Sequence, residues 1–250
     1  MLQPKELQTE QIKNFDSDNY FVQKKIDGFR AIFLNKNLLS ERRVNENFKF
    51  PQIIDDLKID ATLDGEIFFG ENLFSVNRKE NWRRARYCIF DIIFYKDVDL
   101  SNMPLTERQE ILQKIVRDID SEFIVMPMEF QTIDEGIEFV KRNNFEGLVI
   151  KKKDSRYHDR NILDKKNTND WLKWKNWREG KEEIIGFEKG SVKGAFILKN
   201  GSRISSLSPD YETEYNKMKE KGKVFAEFTF LYRTENDCYF QPRLKRLSEG

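Results

Sequence analysis

The sequence predicts an α+β fold in two parts. The larger part, residues 1–179, is expected to hold antiparallel sheets with flanking helices, and the smaller part, residues 180–250, to be all β. Short runs rich in Ile, Val, Phe and Tyr alternate with turn residues through the first two-thirds of the chain. Two segments show helical spacing, and beyond Trp177 the pattern changes to short strands with glycine turns.

The larger part contains seven candidate strands and two candidate helices. The strands are YFVQKKI, RAIFLN, ATLDGEIFF, RYCIFDIIFY, EFIVMPMEF, EGLVIKKK and DWLKWKNW. The clearest helix is TERQEILQKIVRDI, where Thr106 with Gln109 predicts a capping box and apolar residues recur at helical spacing. A second helix is predicted in IDEGIEFVKRNN. Bounding Gly, Asn, Asp and Pro residues indicate where the strands end.

The smaller part is expected to be a barrel. The polar run REGKEE is interpreted as a link that precedes it, and the boundary is placed near residue 179. Strands are predicted in IIGFEKG, GAFILKN, SRISSL and KVFAEFTFLY, with a polar helix in DYETEYNKMKEKG. Several short strands in roughly 70 residues favour a five-stranded barrel of the OB type.

Composition limits the class of protein. Of 250 residues, 35% are charged and 13% aromatic, including 21 Phe, which is enough for a core and unlike a disordered chain. The net charge is +1, so the global balance indicates no partner. Two cysteines and the single histidine, His158, exclude a disulfide framework and a multi-histidine metal centre. No signal peptide or membrane-length apolar run is visible, so we expect a cytoplasmic protein that makes no membrane contact. A monomer is expected.

Five short strings carry the candidate chemistry: KIDGFR from Lys25, LDGEI from Leu63, CIFD from Cys88, EGLVIK from Glu146 and WLKWK from Trp171. Each has an ordinary interpretation. Asp-Gly after a strand is mostly a hairpin turn. The lysines of WLKWK fit a solvated strand face, the Phe of CIFD fits a core, and the Glu of EGLVIK fits a surface position. All five in this order favour an active site.

The five strings together resemble motifs I, III, IIIa, IV and V of the covalent nucleotidyltransferase superfamily, which contains ATP-dependent DNA ligases, RNA ligases and mRNA capping enzymes. The likeness covers nearly the whole chain, including the opening MLQPKEL, which is similar to a short ligase leader. It is strongest to the small ATP-dependent DNA ligases of phages, viruses and bacteria. It implies a nucleotidyltransferase (adenylation) domain over 1–179 and an OB-fold domain over 180–250.

The resemblance makes Lys25 the nucleophile that carries AMP as a phosphoramidate, with Lys24 as its outward neighbour. A lysine is inert at its ordinary pKa of about 10.4, so burial and nearby cations are expected to lower the pKa of Lys25. Lys173, Lys175 and a metal are the expected cations, and the two lysines would also hold the α-phosphate.

The remaining nucleotide contacts are also implied by position. Glu66 and Arg30 would hold the ribose, Phe90 would stack on adenine, and the backbone near Gln23 would read the adenine edge. Only 24 residues precede Lys25, which leaves no room for an upstream nicotinamide-recognition domain, so ATP is the expected cofactor.

A divalent metal and DNA complete the expected site. Glu146 would bind Mg²⁺, with Mn²⁺ as an alternative, and Asp64 would assist. Nicked duplex DNA is the expected partner. Its contacts are assigned to four arginines: Arg42 in SERR, where Arg43 competes for the same role, Arg160 at the 5′-phosphate of the nick, and Arg83 with Arg84 in NRKENWRRARY.

The C-terminal run QPRLKRLSEG departs from the family's motif VI, and Lys245 with Arg246 are the candidates to orient the pyrophosphate. Two alternatives stay open. One is the same lysine chemistry on another polymer, in an RNA ligase or a capping guanylyltransferase. The other is a nucleic-acid-binding protein without catalysis, against which the complete set of lysines and carboxylates argues.

Overall fold

The structure is a computed structural model that describes residues 1–12, 14–70, 73–157, 166–190, 194–205 and 210–250. The chain divides into two compact units, Met1–Lys175 and Asn176–Gly250. The division lies a few residues before the boundary placed near residue 179. The run REGKEE, interpreted as a link, is instead the start of a long strand over Arg178–Glu188, so that interpretation is wrong.

The described residues of unit 1 form eleven strands and five α-helices. The strands are β1 (Leu2–Leu7), β2 (Tyr20–Lys24), β3 (Phe29–Leu34), β4 (Asn37–Ser40), β5 (Ala61–Phe68), β6 (Arg86–Tyr95), β7 (Val98–Asp99), β8 (Ile124–Val125), β9 (Glu129–Phe130), β10 (Gly147–Lys152) and β11 (Lys166–Lys175). The helices are α1 (Thr9–Ile12), α2 (Pro51–Asp56), α3 (Leu73–Asn77), α4 (Leu105–Ile119) and α5 (Ile133–Asn143). Short 3₁₀ turns cover Ser17–Asn19 and Lys79–Arg84.

The strands of unit 1 form two sheets. The first has the order β1-β11-β10-β2-β9, and the second has the order β4-β3-β5-β6-β7, with β8 also beside β6. Most neighbours are antiparallel, as expected. However, β1 runs parallel to β11 and β8 runs parallel to β6, so both sheets are mixed rather than purely antiparallel.

Each sheet of unit 1 has its own core on one face. The first buries Leu148 and Ile150 against Ile137 and Val140 of α5. The second packs against α2 and α4, and both helices present their apolar stripe to it.

The prediction of a capping box at the start of α4 is wrong. The N-cap is Pro104, and it makes no side-chain capping bond. Thr106 instead donates its hydroxyl to the carbonyl of Lys153 at 3.1 Å, and Gln109 donates to the carbonyl of Phe90 at 3.0 Å. Tertiary partners therefore take both side chains away from the helix terminus.

The inner faces of the two sheets meet in a small cluster formed by Leu2, Ile93, Tyr157 and Trp171, with Phe90 beside it. The chain passes from one sheet to the other through residues 25–28, since β2 and β3 belong to different sheets. Asp27-Gly28 therefore lies in the connection between the two sheets and does not form a hairpin turn. A Cβ at Gly28 would lie 2.2 Å from the carbonyl oxygen of Ile67, so this close approach requires glycine.

In the part of unit 2 that the structure describes there are five strands and one helix: β12 (Arg178–Glu188), β13 (Ala195–Leu198), β14 (Arg203–Ser205), α6 (Asp210–Lys219), β15 (Val224–Phe230) and β16 (Arg243–Glu249). They form an antiparallel sheet in the order β14-β13-β12-β15-β16. The first half of β12 pairs with β15 and its second half with β13, so one long strand serves two parts of the sheet. Among the described residues, no helix has the length and apolar character that crossing a membrane requires.

Candidate active site

A cleft of about 590 Å³ opens between the two sheets of unit 1. Strands β2, β10 and β11 form one wall, and β3, β5 and β6 form the other. Seven of the residues predicted to carry nucleotide chemistry line it: Gln23, Lys25, Arg30, Glu66, Phe90, Lys173 and Lys175. Residues up to about 150 positions apart in sequence are thus brought to one cavity.

Lys25 lies directly after β2, at the start of the crossing. Its backbone N–H donates to the carbonyl of Gly147 at 2.9 Å, which ties it to the first residue of β10. Its ammonium group donates to Oε2 of Glu146 at 2.6 Å. Nζ of Lys175 lies 3.3 Å from the other oxygen, Oε1, so one buried carboxylate joins two of the predicted catalytic lysines.

The pKa of Lys25 is shifted in the direction opposite to the one predicted. Burial lowers the pKa of Lys25, but the carboxylates of Glu146 and Glu66 outweigh burial and raise the pKa above its ordinary value. The expected lowering is therefore wrong for the nucleotide-free protein, because the nearest charges are acids. Lys25 is held as an ammonium ion in this state.

Arg30 and Asp64 form a buried ion pair behind the cleft. Nε of Arg30 donates to Oδ1 of Asp64 at 2.9 Å, and Nη2 donates to Oδ2. The hydroxyl of Tyr157 donates to Oδ2 at 2.8 Å, and a further N–H of Arg30 donates to the carbonyl of Leu2. Asp64 is fully buried and does not line the cleft. The structure therefore places Asp64 as the anchor of Arg30.

Glu66 faces Arg30 across the β3–β5 pair and lines the cleft beside Lys25. Burial raises the pKa of Glu66 to about 7, although the positive charges of Lys25 and Arg30 oppose the shift. A carboxylate that titrates near neutral pH can accept hydrogen bonds from the hydroxyl groups of a bound ligand once it is ionised.

Phe90 occupies a bulge in β6. Asp64 pairs with Asp91 and Gly65 with Ile89, so Phe90 has no partner in β5. A bulge redirects a side chain and frequently does so beside an active site. The ring of Phe90 lines the cleft, as expected for a residue that stacks on a base.

Lys151 is a cleft residue that the sequence reasoning did not single out. It lies on β10, is 1% exposed, and donates from Nζ to the carbonyl of Phe90 at 2.8 Å. Burial lowers the pKa of Lys151 to about 8, against the attraction of Asp91 and Asp64. The only sequence signal was a lysine that follows the apolar run GLVI.

Two other predicted residues complete the first wall. Lys173 is half-buried, and burial lowers its pKa, as does the proximity of Lys175 and Lys25, although Glu6 opposes them. Gln23 lies in β2 and donates from its amide to Oε1 of Glu129 at 2.9 Å, which fixes its side chain on the neighbouring strand β9.

The predicted DNA contacts fall in different places. Arg42 lines the mouth of the cleft, whereas Arg43 is absent from its lining and has a φ of 60° in the adjoining turn. Arg83 and Arg84 line a separate cavity of about 390 Å³ together with Arg86. Arg160 and His158 lie outside the described residues.

Lys245 and Arg246, the candidates to orient the pyrophosphate, lie on β16 of unit 2. The sequence pattern did not predict this strand. Nζ of Lys245 lies 2.5 Å from a carboxylate oxygen of Glu179, and Nε of Arg246 lies 2.6 Å from one of Glu227. Both cations are thus paired with acids of the same sheet, Lys245 with one on β12 and Arg246 with one on β15.

Glu146, the predicted metal ligand, does not line this cleft but a small cavity that shares Lys25 with it. Within the described ranges, no three His, Cys, Asp or Glu side chains come together in a way that could hold one. Mg²⁺ does not require such a cage, because it commonly binds one or two carboxylates together with substrate phosphates and waters. The buried carboxylate of Glu146, between two lysines that suit phosphate, fits that mode.

Comparisons with known proteins agree with this geometry. The sequence profile of the family described as "ATP dependent DNA ligase domain" matches residues 1–175, which is all of unit 1. The chain is 29% identical over 237 residues to the SPbeta prophage-derived DNA ligase-like protein LigB of Bacillus subtilis, covering 87% of this chain and 84% of that protein. It is 27% identical over 243 residues to a DNA ligase of Sulfurisphaera tokodaii, covering 83% of this chain and 39% of that protein.

Solved structures show the same fold at lower identity. A structure from a study of Lig E DNA ligases matches with a TM-score of 0.68 and 16% identity, covering 99% of this chain and 98% of that one. A mycobacterial DNA ligase D complexed with ATP and MES matches with a TM-score of 0.59 and 16% identity, covering 99% and 94%. The profile spans well over half of the chain and includes the cleft, Lys25 and the carboxylate of Glu146 that is paired with Lys25. The resemblance inferred from the five strings is therefore confirmed, and the chain belongs to the family of ATP-dependent DNA ligases.

Proposed function

We propose that the protein seals 3′-hydroxyl/5′-phosphate nicks in duplex DNA with ATP, through AMP held covalently on Lys25. The observation that carries this proposal is the position of the Lys25 ammonium group. It lies in the cleft of an ATP-dependent DNA ligase, 2.6 Å from the buried carboxylate of Glu146, with Lys175 on the other oxygen of that carboxylate.

In the first step, the lone pair of the neutral Lys25 nitrogen attacks the α-phosphorus of ATP. The bond from that phosphorus to the bridging oxygen breaks, pyrophosphate leaves, and the nitrogen loses its proton. Lys173 and Lys175 hold the α-phosphate and offset the charge that builds on its oxygens. Once Glu66 holds the ribose and Glu146 holds a divalent cation, the two carboxylates would attract the ammonium less, so burial would favour the neutral amine.

The two walls of the cleft position the nucleotide. Phe90 stacks on adenine, and the backbone at Gln23 reads the adenine edge. Arg30 and Glu66 hold the ribose side. The buried ion pair with Asp64 supports this assignment, because it fixes the Arg30 guanidinium before any ligand binds.

A divalent cation, Mg²⁺ or Mn²⁺, fits Glu146 as its protein ligand. When bound, the cation neutralises charge on the phosphates. Asp64 is left out of this assignment, since both of its oxygens already accept hydrogen bonds from Arg30 and Tyr157.

In the second step, an oxygen of the 5′-phosphate attacks the phosphorus of lysyl-AMP, and the nitrogen of Lys25 leaves and regains a proton. In the third step, the 3′-hydroxyl attacks the adenylylated 5′-phosphate and AMP leaves. Arg42 is assigned to DNA near the cleft, with Arg83 and Arg84 further out. Arg160 keeps its predicted role at the nick phosphate.

Unit 2 is proposed to be an OB-fold domain, and unit 1 the adenylation domain. The support is five short antiparallel strands, one long strand shared by two parts of the sheet, and a helix between the third and fourth strands. The protein is proposed to act on DNA as a monomer.

The test is a nick-sealing assay with Lys25→Ala beside wild type. The control is Lys114→Ala, which removes an exposed lysine of α4. With α-labelled ATP and magnesium, wild type and control should retain label after denaturation and should seal a nicked duplex, whereas Lys25→Ala should do neither. Equal sealing by Lys25→Ala would refute the mechanism.

Two further measurements separate the alternatives. Label from GTP and none from ATP would indicate a capping guanylyltransferase. Sealing of nicked RNA in preference to nicked DNA would indicate an RNA ligase. Neither label nor sealing by a folded wild-type protein would favour a binding protein without catalysis.

A further inference from the structure

The backbone at Phe90 is held by two side chains from other elements. Because Phe90 is the extra residue of the bulge, it has no partner in the β5–β6 ladder. Its carbonyl accepts a hydrogen bond from Nζ of Lys151 at 2.8 Å and another from the amide of Gln109 at 3.0 Å. Backbone carbonyls that leave a ladder need such donors when they are buried.

The ammonium group of Lys151 also lies against two aromatic rings. Nζ is 4.6 Å from the ring centroid of Phe90 and 4.4 Å from that of Trp171. These two rings meet edge to face, with centroids 6.4 Å apart. The cation therefore contacts both the carbonyl and the ring of Phe90, and Trp171 supports the same ring from the side.

A lysine is an expensive residue to bury here. The side chain is 1% exposed, and an apolar residue of similar length would fill the space without desolvating a charge. What an apolar residue cannot do is donate to the bulged carbonyl while it attracts the ring. Two of these three contacts of the Lys151 ammonium, with the carbonyl and with the ring, act on Phe90, and the third is with Trp171. All three residues line the cleft.

We propose that Lys151 is a positioning residue for nucleotide binding, which fixes the bulged backbone and the ring plane of Phe90 on which the base stacks. This inference rests on the proposed function, in which Phe90 carries the base. Lys151 acts through Phe90 and takes no part in the transfer of AMP.

The test is a double-mutant cycle on self-adenylylation by the full chain. Four proteins are compared: wild type, Lys151→Met, Phe90→Ala and the double variant, with Lys152→Met as the control at the neighbouring, exposed lysine. Lys151→Met should raise the KM for ATP by about tenfold, which corresponds to ~1.4 kcal/mol, because the base loses a well-placed ring on which to stack. The rate at saturating ATP should change far less, because the phosphate contacts remain.

The decisive result is the coupling between the two substitutions. If Lys151 acts through Phe90, the double variant should have the same KM as Phe90→Ala within about twofold. Multiplicative effects, or an unchanged KM in Lys151→Met, would overturn the inference. If Lys151→Met does not fold, Lys151→Gln enters the same cycle with the same two outcomes.

Failure of the underlying proposal gives a different pattern. An unchanged KM in Phe90→Ala would show that Phe90 does not carry the base, and the assignment under the proposed function would fail with it. A raised KM in Phe90→Ala with no coupling to Lys151 would remove only the role of Lys151.

Discussion

Glu146 accepts a hydrogen bond from the ammonium group of Lys25 at 2.6 Å, and this carboxylate opposes the effect of burial on the pKa of Lys25. Replacing Glu146 by Gln should therefore lower the pKa of Lys25. Each unit of that decrease raises the neutral fraction of the amine about tenfold below the pKa. We expect faster modification of Lys25 by an amine-reactive reagent at pH 8, measured by mass spectrometry with Lys114 as the internal reference.

The same substitution should act in the opposite direction on catalysis. Glu146→Gln removes the proposed ligand of the divalent cation, so formation of lysyl-AMP should fall while the reactivity of Lys25 rises. A parallel loss of both signals would contradict the assignment, because it would show that Glu146 only supports the local fold.

Glu66 predicts a pH dependence of nucleotide binding. Burial raises its pKa to about 7, so the carboxylate is mostly protonated at pH 6 and mostly ionised at pH 8. An ionised carboxylate accepts hydrogen bonds from the ribose hydroxyls more strongly than a protonated one does. The KM of wild type for ATP should therefore fall as the pH rises from 6 to 8. Glu66→Gln cannot ionise and should show a flat profile over the same range. A falling KM in Glu66→Gln would assign the titration to another group.

The buried pair of Arg30 and Asp64 predicts a loss of stability. Asp64→Asn leaves the guanidinium without its counter-charge in the interior, and such a change costs about 3–5 kcal/mol. Urea unfolding should show this loss in unit 1. The control is Asp154→Asn, which breaks the exposed pair with Lys152 and should cost less than about 1 kcal/mol. Equal effects of the two substitutions would contradict the prediction.

Lys151 predicts a pH-dependent stability of its own. Its pKa in the folded protein is about 8, below the ordinary 10.5, so folding disfavours the charged form. The unfolded chain binds more protons between these values, and stability therefore rises with pH from 8 to 10.5 and is lost as pH falls through 8. Relative to Lys151→Met, wild type should gain on the order of 3 kcal/mol across that window, measured as the difference in free energy of unfolding. If the difference in free energy of unfolding between wild type and Lys151→Met stays constant over this pH range, the lowered pKa of Lys151 is contradicted.

The cavity with Arg83 and Arg84 predicts a salt-dependent grip on DNA. Replacing both by Gln should weaken binding of a nicked duplex and reduce the slope of log affinity against log salt by about one for each lost phosphate contact. Fluorescence anisotropy over a series of salt concentrations measures this slope. Arg117→Gln, on the exposed face of α4, is the matched control and should leave the slope unchanged.

The strands that form the cleft were predictable because their pattern is local. The runs that became β3, β5 and β6 alternate or stay apolar over a strand's length and end at turn residues, and the structure has strands there. The grouping of Lys25, Glu66 and Phe90 around one cavity was predictable only from their order as motifs. The roles assigned to these residues stay predictions.

What sequence reasoning missed depends on long-range partners. The run LQPKEL is polar and contains proline, and it forms β1 because β11 pairs with it. Lys151 looked like one lysine of KKK, since its burial depends on a bulge at Phe90 created by pairing with β5. The raised pKa of Lys25 depends on Glu146, more than one hundred residues along the chain.

The parallel pairing of β1 with β11 has a consequence for synthesis. In the first sheet, β11 lies between β1 and β10, although it is the last strand of unit 1 to leave the ribosome. Until it arrives, β1 has no neighbour in that sheet, and this wall of the cleft lacks the strand that carries Lys173 and Lys175. Such non-local pairing is slow to form. A nascent chain should therefore fold the second sheet first, and become able to accept AMP only when translation has passed Lys175.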